Sequence, residues 1–141
     1  MRRRRWSRFP TSTTDTTGSV ISSSIETVLV VTGVLTAGML VQFAAPSWTL
    51  RHTFSEVPSG AVEVVLARHW GLLLFCVGAL LVYAGFHPAV RRPAVALALI
   101  EKVGFVACVF GTSLRRRPVV AMMAVADAVM VLIYGLYLSG L

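Results

Sequence analysis

Apart from Glu26 and Glu63, which lie near the ends of their stretches and can reach water, four charged residues lie inside long apolar stretches of this sequence, where charged side chains are unusual. They are Arg68, Glu101, Lys102 and Asp127. Each would cost about 2.5–3.5 kcal/mol at the centre of a membrane-spanning helix if it were unpaired. Because their formal charges sum to zero, we expect them to neutralise one another as a buried polar network.

The spacing of these four residues along their stretches predicts that they can meet. With a rise of about 1.5 Å per residue, antiparallel helices would bring them within roughly one and a half turns of the same height. We expect Asp127 to accept from Arg68 or Lys102, and Glu101 to hold the second positive charge. His69 either extends this network towards the interface or is a helix-entry histidine with no special role. Such a network either fixes helix packing or lines a polar cavity that binds a ligand.

Four apolar stretches are long enough to carry these residues across a membrane, which takes about 20 residues as a helix. Hydrocarbon offers the backbone no hydrogen-bond partners, so the stretches must be helical. Short connections predict that the second, third and fourth are antiparallel neighbours. The sequence therefore predicts an all-α integral membrane protein, an antiparallel four-helix bundle over residues 24–141. Its spans are about 24–45, 61–86, 93–113 and 118–138.

The composition supports a membrane protein. Of 141 residues, 56% are hydrophobic and 13% are charged, against about 45–50% and about 25% in soluble domains. The mean hydropathy is +0.77. These values exclude a disordered chain and a disulfide-stapled secreted domain. The expected partner is the lipid bilayer rather than nucleic acid, and a homodimer or a larger membrane complex is compatible with the sequence.

Residues 1–23 differ from the rest in being basic and rich in Ser and Thr, which predicts a disordered cytoplasmic tail. Its arginines are expected to bind anionic lipid headgroups at roughly 1 kcal/mol each; they are Arg2, Arg3, Arg4, Arg5 and Arg8. Positive charges near the spans favour the cytoplasmic side. We therefore predict a multi-pass protein of the cell membrane with both termini cytoplasmic, although Arg115, Arg116 and Arg117 conflict with this orientation.

Glycines recur at intervals of seven residues in two of the predicted spans. Small residues let helices approach closely in lipid, where no hydrophobic force drives them together. The sequence therefore predicts two helix-packing stripes, one formed by Gly71, Gly78 and Gly85 and one by Gly104 and Gly111. In the connection before the second span, Trp48 and Phe54 are expected at the headgroup level; a lid over the bundle mouth is the alternative.

Known catalytic arrangements do not fit the sequence. Cys76 and Cys108 are predicted at different heights, too far apart for a disulfide, and are expected to be small apolar core residues. The three histidines do not fall on facing helices, so neither a haem nor a metal site is expected. A conventional enzyme and a bound cofactor are therefore not expected.

The stretch from Ala67 to Gly111 resembles the small bacterial four-span proteins of the DoxX-like and BphX-like kind. The resemblance is carried by Ala67-Arg68-His69, by Pro88 with Arg91-Arg92-Pro93, and by Glu101-Lys102. Most members of this group have no assigned function. Some resemble subunits of quinone-linked oxidoreductases, and the resemblance therefore implies an accessory role in which quinone would be the cofactor.

Three functions remain open at this level. The first is a small membrane protein with a structural, accessory or small-ligand-binding role. The second is a proton-coupled small transporter acting as a dimer, which four short spans and intramembrane acids permit. The third is the accessory subunit of a quinone-linked membrane oxidoreductase.

Overall fold

The computed structural model describes residues 15–55, 57 and 59–140, with side chains from residue 24 onwards. It contains the helices α1 (Asp15–Ala37), α2 (Leu40–Ala44), α3 (Pro46–Thr49), α4 (Ala61–Phe86), α5 (Pro88–Phe110) and α6 (Pro118–Ser139). A π-helical turn, Leu50–Phe54, follows α3, and a 3₁₀ turn, Ser113–Arg116, precedes α6. The predicted all-α class is confirmed for the described residues. Four segments are long and apolar enough to cross a membrane: Ser24–Ala44, Ala61–Phe86, Pro88–Phe110 and Pro118–Ser139.

Prolines set the starts of α5 and α6. Pro118 occupies the first position of α6, as predicted. The prediction that the third span begins at Pro93 is wrong, because α5 begins at Pro88 and contains Pro93. Proline lacks a backbone N–H, and the first turn of a helix does not need one, so either Pro88 or Pro93 could start the helix. Pro88, which comes first in the sequence, takes that position. The connection between α4 and α5 is reduced to His87.

The first span differs from its predicted form at both ends. Helix α1 begins at Asp15, so the backbone of residues 15–23 is helical rather than disordered. Residues 1–14, which include the five arginines predicted to bind headgroups, lie outside the described residues. The helix ends at Ala37, and a turn at Gly38 and Met39 separates it from α2.

Contacts between the long helices show that they run antiparallel to their neighbours. At the middle of α1, Glu26 lies near Gly85 at the end of α4, whereas Gly33, closer to the end of α1, packs on Gly78. Between α5 and α6, Arg92 donates to the Leu138 carbonyl, and further along Lys102 meets Asp127. Helices α1 and α6 are joined by the hydroxyls of Thr32 and Tyr134, which lie 2.7 Å apart.

Two apolar clusters fill the space between the helices. The first draws on all four long helices and consists of Leu29, Leu81, Ala84, Ala94, Val95, Ala98 and Tyr134. The second lies towards the opposite end, with Phe54, Val109, Val120 and Ala124 at its centre. The ring of Phe54 is buried against Trp70 rather than exposed to its surroundings, and its position at the headgroup level stays a prediction. Trp48 is exposed.

Candidate functional site: a charged cavity between the helices

A buried ion pair joins α5 to α6 between the two apolar clusters. The Nζ atom of Lys102 donates to Oδ1 of Asp127 across 2.8 Å. The side chain of Lys102 is 4% exposed and that of Asp127 is 17% exposed. A charge-assisted hydrogen bond of this length belongs to the strong class. The structure thus selects Lys102 from the two cations that the sequence offered to Asp127.

Glu101 lies beside this pair but is held less closely. Its Oε2 atom is 3.7 Å from the Nζ atom of Lys102, beyond hydrogen-bond distance. This oxygen is buried, and within the described part of the chain it has no hydrogen-bond partner. A buried acceptor without a donor carries a desolvation penalty of about 1–3 kcal/mol, more when it is charged. The site therefore contains one unsatisfied carboxylate oxygen.

Arg68 does not join these residues. Its side chain is exposed, and so is that of the neighbouring His69. The buried face of α4 passes through Ala67, Gly71 and Leu74, and successive helix residues are rotated by about 100°, at 3.6 residues per turn. The prediction that Arg68 belongs to the buried network is wrong. It was based on the height of Arg68 along the helix axis alone, whereas the rotation of the helix turns this side chain away from the buried face.

A cavity of about 190 Å³ lies directly against the charged side chains. Its ionisable lining residues are Glu101, Lys102 and Asp127. All four long helices contribute to the remaining lining, which is mostly apolar and consists of Leu35, Thr36, Met39, Phe54, Trp70, Leu74, Phe105, Met123, Ala126 and Met130. An apolar pocket with a few convergent polar groups is the usual form of a small-molecule site.

Aromatic rings form one wall of this cavity. The ring centroids of Trp70 and Phe105 are 5.7 Å apart and tilted by 47°, and Phe54 packs on the other side of Trp70. Tilted pairs at such distances are favourable arrangements of aromatic rings. The wall therefore presents stable ring faces next to the buried charges.

His69 instead lines a second groove, which lies between α4 and the segment after α2. Gln42 lines the same groove and is fully buried. Its Nε2 atom donates to the Ala67 carbonyl at 3.1 Å, whereas its Oε1 atom has no partner among the described residues. His69 is not one of the residues lining the charged cavity, so the predicted extension of the network through it does not occur.

The two predicted glycine stripes face different surroundings. Gly71, Gly78 and Gly85 are buried and lie against the first span. A Cβ atom at Gly71 would lie 2.7 Å from the Phe43 nitrogen, so this close approach requires glycine. By contrast, Gly104 and Gly111 are exposed and pack against no other described helix. Gly104 and Gly111 therefore do not pack helices together within the described chain, because their side of α5 faces outwards.

The cysteines also differ from expectation. Cys76 and Cys108 are unpaired and exposed rather than part of the core. Their positions fall on outward faces of α4 and α5, which a membrane would cover with lipid. Apolar composition does not separate an outward face from a core face in such helices, because both must be apolar.

Arg91 is a buried residue that was not predicted from the sequence. It is 6% exposed and donates to the carbonyls of Ala84 and Gly85 at the end of α4. Glu26 of α1 lies 3.7 Å from the same guanidinium. A signal was present, because arginine often satisfies the carbonyls that a helix end leaves unpaired.

Over the described residues, no three His, Cys, Asp or Glu side chains come together in a way that could hold a metal ion. The chain matches no family model, no curated protein and no solved structure. The cavity and its charges are therefore the features of the described chain that bear on function.

Proposed function

We propose that this is a multi-pass membrane protein, an antiparallel four-helix bundle that binds a small molecule in the charged cavity. The observation that carries the proposal is the cavity itself, bounded by apolar walls and by one group of buried charges. A purely structural ion pair would need no space beside it. Here the space remains, and a carboxylate oxygen next to it is unsatisfied.

The outer surface supports placement in a bilayer. Large apolar side chains are widely exposed, among them Ile100 at 71% and Leu132 at 68%. Contiguous apolar surface of this kind marks contact with lipid or with another protein. At about 1.5 Å per residue, Lys102 lies about 16 Å beyond Arg91 along α5, close to the middle of a core about 30 Å thick.

The length of α4 explains how Arg68 is accommodated in this placement. Its 26 residues span about 39 Å, which exceeds the hydrocarbon core by about 9 Å. With this excess divided between both ends, Arg68 lies about 6 Å inside the edge of the core, and its long side chain can extend its charge towards the headgroups. The same placement brings Arg91 and Arg92 to the opposite edge.

The size of the cavity indicates a ligand with a single ring. An engineered apolar cavity of about 150 Å³ binds benzene, and the cavity here is about 190 Å³. Benzylammonium, benzyl alcohol and benzoate are suitable probes, since they share a ring and differ in charge. We expect at least one of them to bind in the cavity.

Trp70 provides a local reporter for this test. The sequence contains Trp6, Trp48 and Trp70, so replacing the first two by Phe leaves a single tryptophan in the cavity wall. In lipid nanodiscs, we expect at least one probe to cause a saturable change in Trp70 emission. Ala126→Phe, which places a ring at the cavity, should abolish the change. The matched control Val125→Phe, on the exposed face of α6, should preserve it. Absence of binding by all three probes, or equal binding by both variants, contradicts the proposed function.

Proton-coupled transport is a second candidate, favoured by one observation. A transporter needs an intramembrane acid that is free to exchange its partner, and the Oε2 atom of Glu101 has no hydrogen-bond partner in the described chain. Binding by the cavity is a requirement of transport, so the same probes serve as trial substrates for flux into proteoliposomes.

The resemblance to DoxX-like proteins and the accessory role with quinone remain proposals. A quinone head is also a single ring, and co-purification from mild detergent followed by mass spectrometry would detect it together with any partner chain. The orientation with both termini cytoplasmic and the location in the cell membrane are likewise proposed, on the arginine distribution described above.

A further inference from the structure

The buried charges at the cavity do not balance. Glu101 and Asp127 each contribute a formal charge of −1 and Lys102 contributes +1, so the ionisable lining carries a formal charge of −1. The sequence predicted neutrality because it included Arg68, which the structure places on the exposed surface of α4. An uncompensated charge is expensive in an interior of low dielectric constant.

The described part of the chain supplies no second cation at this place. Lys102 is committed to Asp127 at 2.8 Å and lies 3.7 Å from Glu101. Arg91, which is also buried, is engaged at the far end of α4 with two backbone carbonyls and Glu26. The unsatisfied oxygen of Glu101 is therefore where a positive charge from outside would be most stabilised.

We propose that the ligand of the charged cavity is a small organic monocation, an ammonium carrying an N–H group and one apolar ring. Its N–H would donate to the Oε2 atom of Glu101, which needs a donor. Its ring would pack against the side chains of Trp70 and Phe105. The faces of these aromatic rings would also attract the positive charge of the ammonium group. This inference rests on the proposed function and adds the charge of the ligand.

An inorganic ion fits the same place less well. Hard divalent cations take about six or more oxygen ligands. The cavity offers the hydroxyl of Thr36 and two carboxylates, one of which already binds Lys102. Most of the remaining lining is hydrocarbon, thioether or aromatic ring, which suits the body of an organic ligand.

The test compares the three probes of equal ring size in nanodiscs containing the full chain. We expect benzylammonium to bind at least about tenfold more tightly than benzyl alcohol, since both can donate a hydrogen bond to the carboxylate but only the ammonium also brings an opposite charge. Benzoate should bind least. Glu101→Gln makes the lining formally neutral and should remove the preference for benzylammonium while benzyl alcohol still binds. Glu63→Gln, an exposed acid on α4 that does not line the cavity, should leave the preference intact.

Two results would overturn this inference while leaving the proposed function standing. Equal affinity for benzylammonium and benzyl alcohol would show that the cavity is already neutral, as a proton on a carboxylate would make it. Persistence of the preference in Glu101→Gln would show that Glu101 does not supply the charge. Failure of all three probes is a different result, because it removes the proposed function itself.

Discussion

Arg91 shows how one buried cation stabilises the junction of three helices. Its Nε atom donates to the Ala84 carbonyl at 3.0 Å, and its terminal nitrogen reaches the Gly85 carbonyl and Glu26. The last carbonyls of a helix have no partner within the helix. Arg91, on the first turn of α5, therefore satisfies the end of α4 and links both helices to α1.

Replacing Arg91 should destabilise the protein. Arg91→Met leaves two buried carbonyls without a donor, and we expect the free energy of unfolding to fall by about 2–3 kcal/mol. The matched control is Arg92→Met, since Arg92 is exposed and donates to the Leu138 carbonyl. Reversible unfolding in mixed micelles measures both variants. Equal losses for Arg91→Met and Arg92→Met would be inconsistent with the role assigned to Arg91.

At this scale, the sequence predicts which residues carry buried charge better than it predicts their partners. Glu101, Lys102 and Asp127 are recognisable because each interrupts an apolar stretch. Arg68 interrupts one in the same way, yet it lies on the exposed side of α4. Arg91 sits among prolines near a connection, which suggests an exposed residue, yet it is buried. The direction in which a side chain points depends on helix rotation, which depends in turn on packing with other helices.

Close packing between α1 and α4 is the main feature at the scale of the helices. Gly33 and Gly78 face each other, and a Cβ atom at Gly33 would lie 2.8 Å from the Gly78 carbonyl oxygen. A Cβ atom at Gly78 would meet the backbone of Ala37. Because backbone atoms cannot give way as a flexible side chain can, α1 would have to move.

A pair of identical substitutions tests this packing. Gly78→Ala should lower the free energy of unfolding by about 2 kcal/mol, because the added methyl group overpacks the contact between two backbones. Gly104→Ala should cause no loss, since a Cβ atom there meets nothing within 4 Å and alanine favours helix more than glycine does. Thermal or detergent unfolding of both variants provides the measurement. A larger loss from Gly104→Ala than from Gly78→Ala would refute the assignment of these faces.

The helices themselves were largely predictable. Hydropathy and length identify all four long segments, and proline marks the start of α6. The break at Gly38 and Met39 was not predicted, because the residues on both sides continue the apolar stretch. Glycines recur every seven residues in both α4 and α5. Of these two sets of glycines, only the set in α4 faces another described helix. The glycine spacing indicates that a helix has a stripe of small residues, whereas the helix that packs on this stripe is decided by the tertiary structure.

Over the described residues, Glu101, Lys102 and Asp127 lie against an internal cavity, whereas large apolar side chains such as Ile100 and Leu132 are exposed on the outer surface. Between the two apolar clusters, the ion pair of Lys102 and Asp127 joins α5 to α6 beside the cavity. The sequence could predict that charges within long apolar stretches must be paired. It could not predict the cavity, because a space between helices arises from the shapes of side chains on several elements.

Lys102 and Asp127 are expected to stabilise one another inside the protein. The most direct measurement is a double-mutant cycle of Lys102→Met, Asp127→Leu and the combined variant, using the free energy of unfolding in bicelles. Each single change should cost about 3–5 kcal/mol, since it leaves a buried charge unpaired. The combined variant should cost less than the sum by at least about 1.5 kcal/mol, because it removes both charges together. Additive losses, within about 0.5 kcal/mol, would contradict the pairing and with it the account of the cavity.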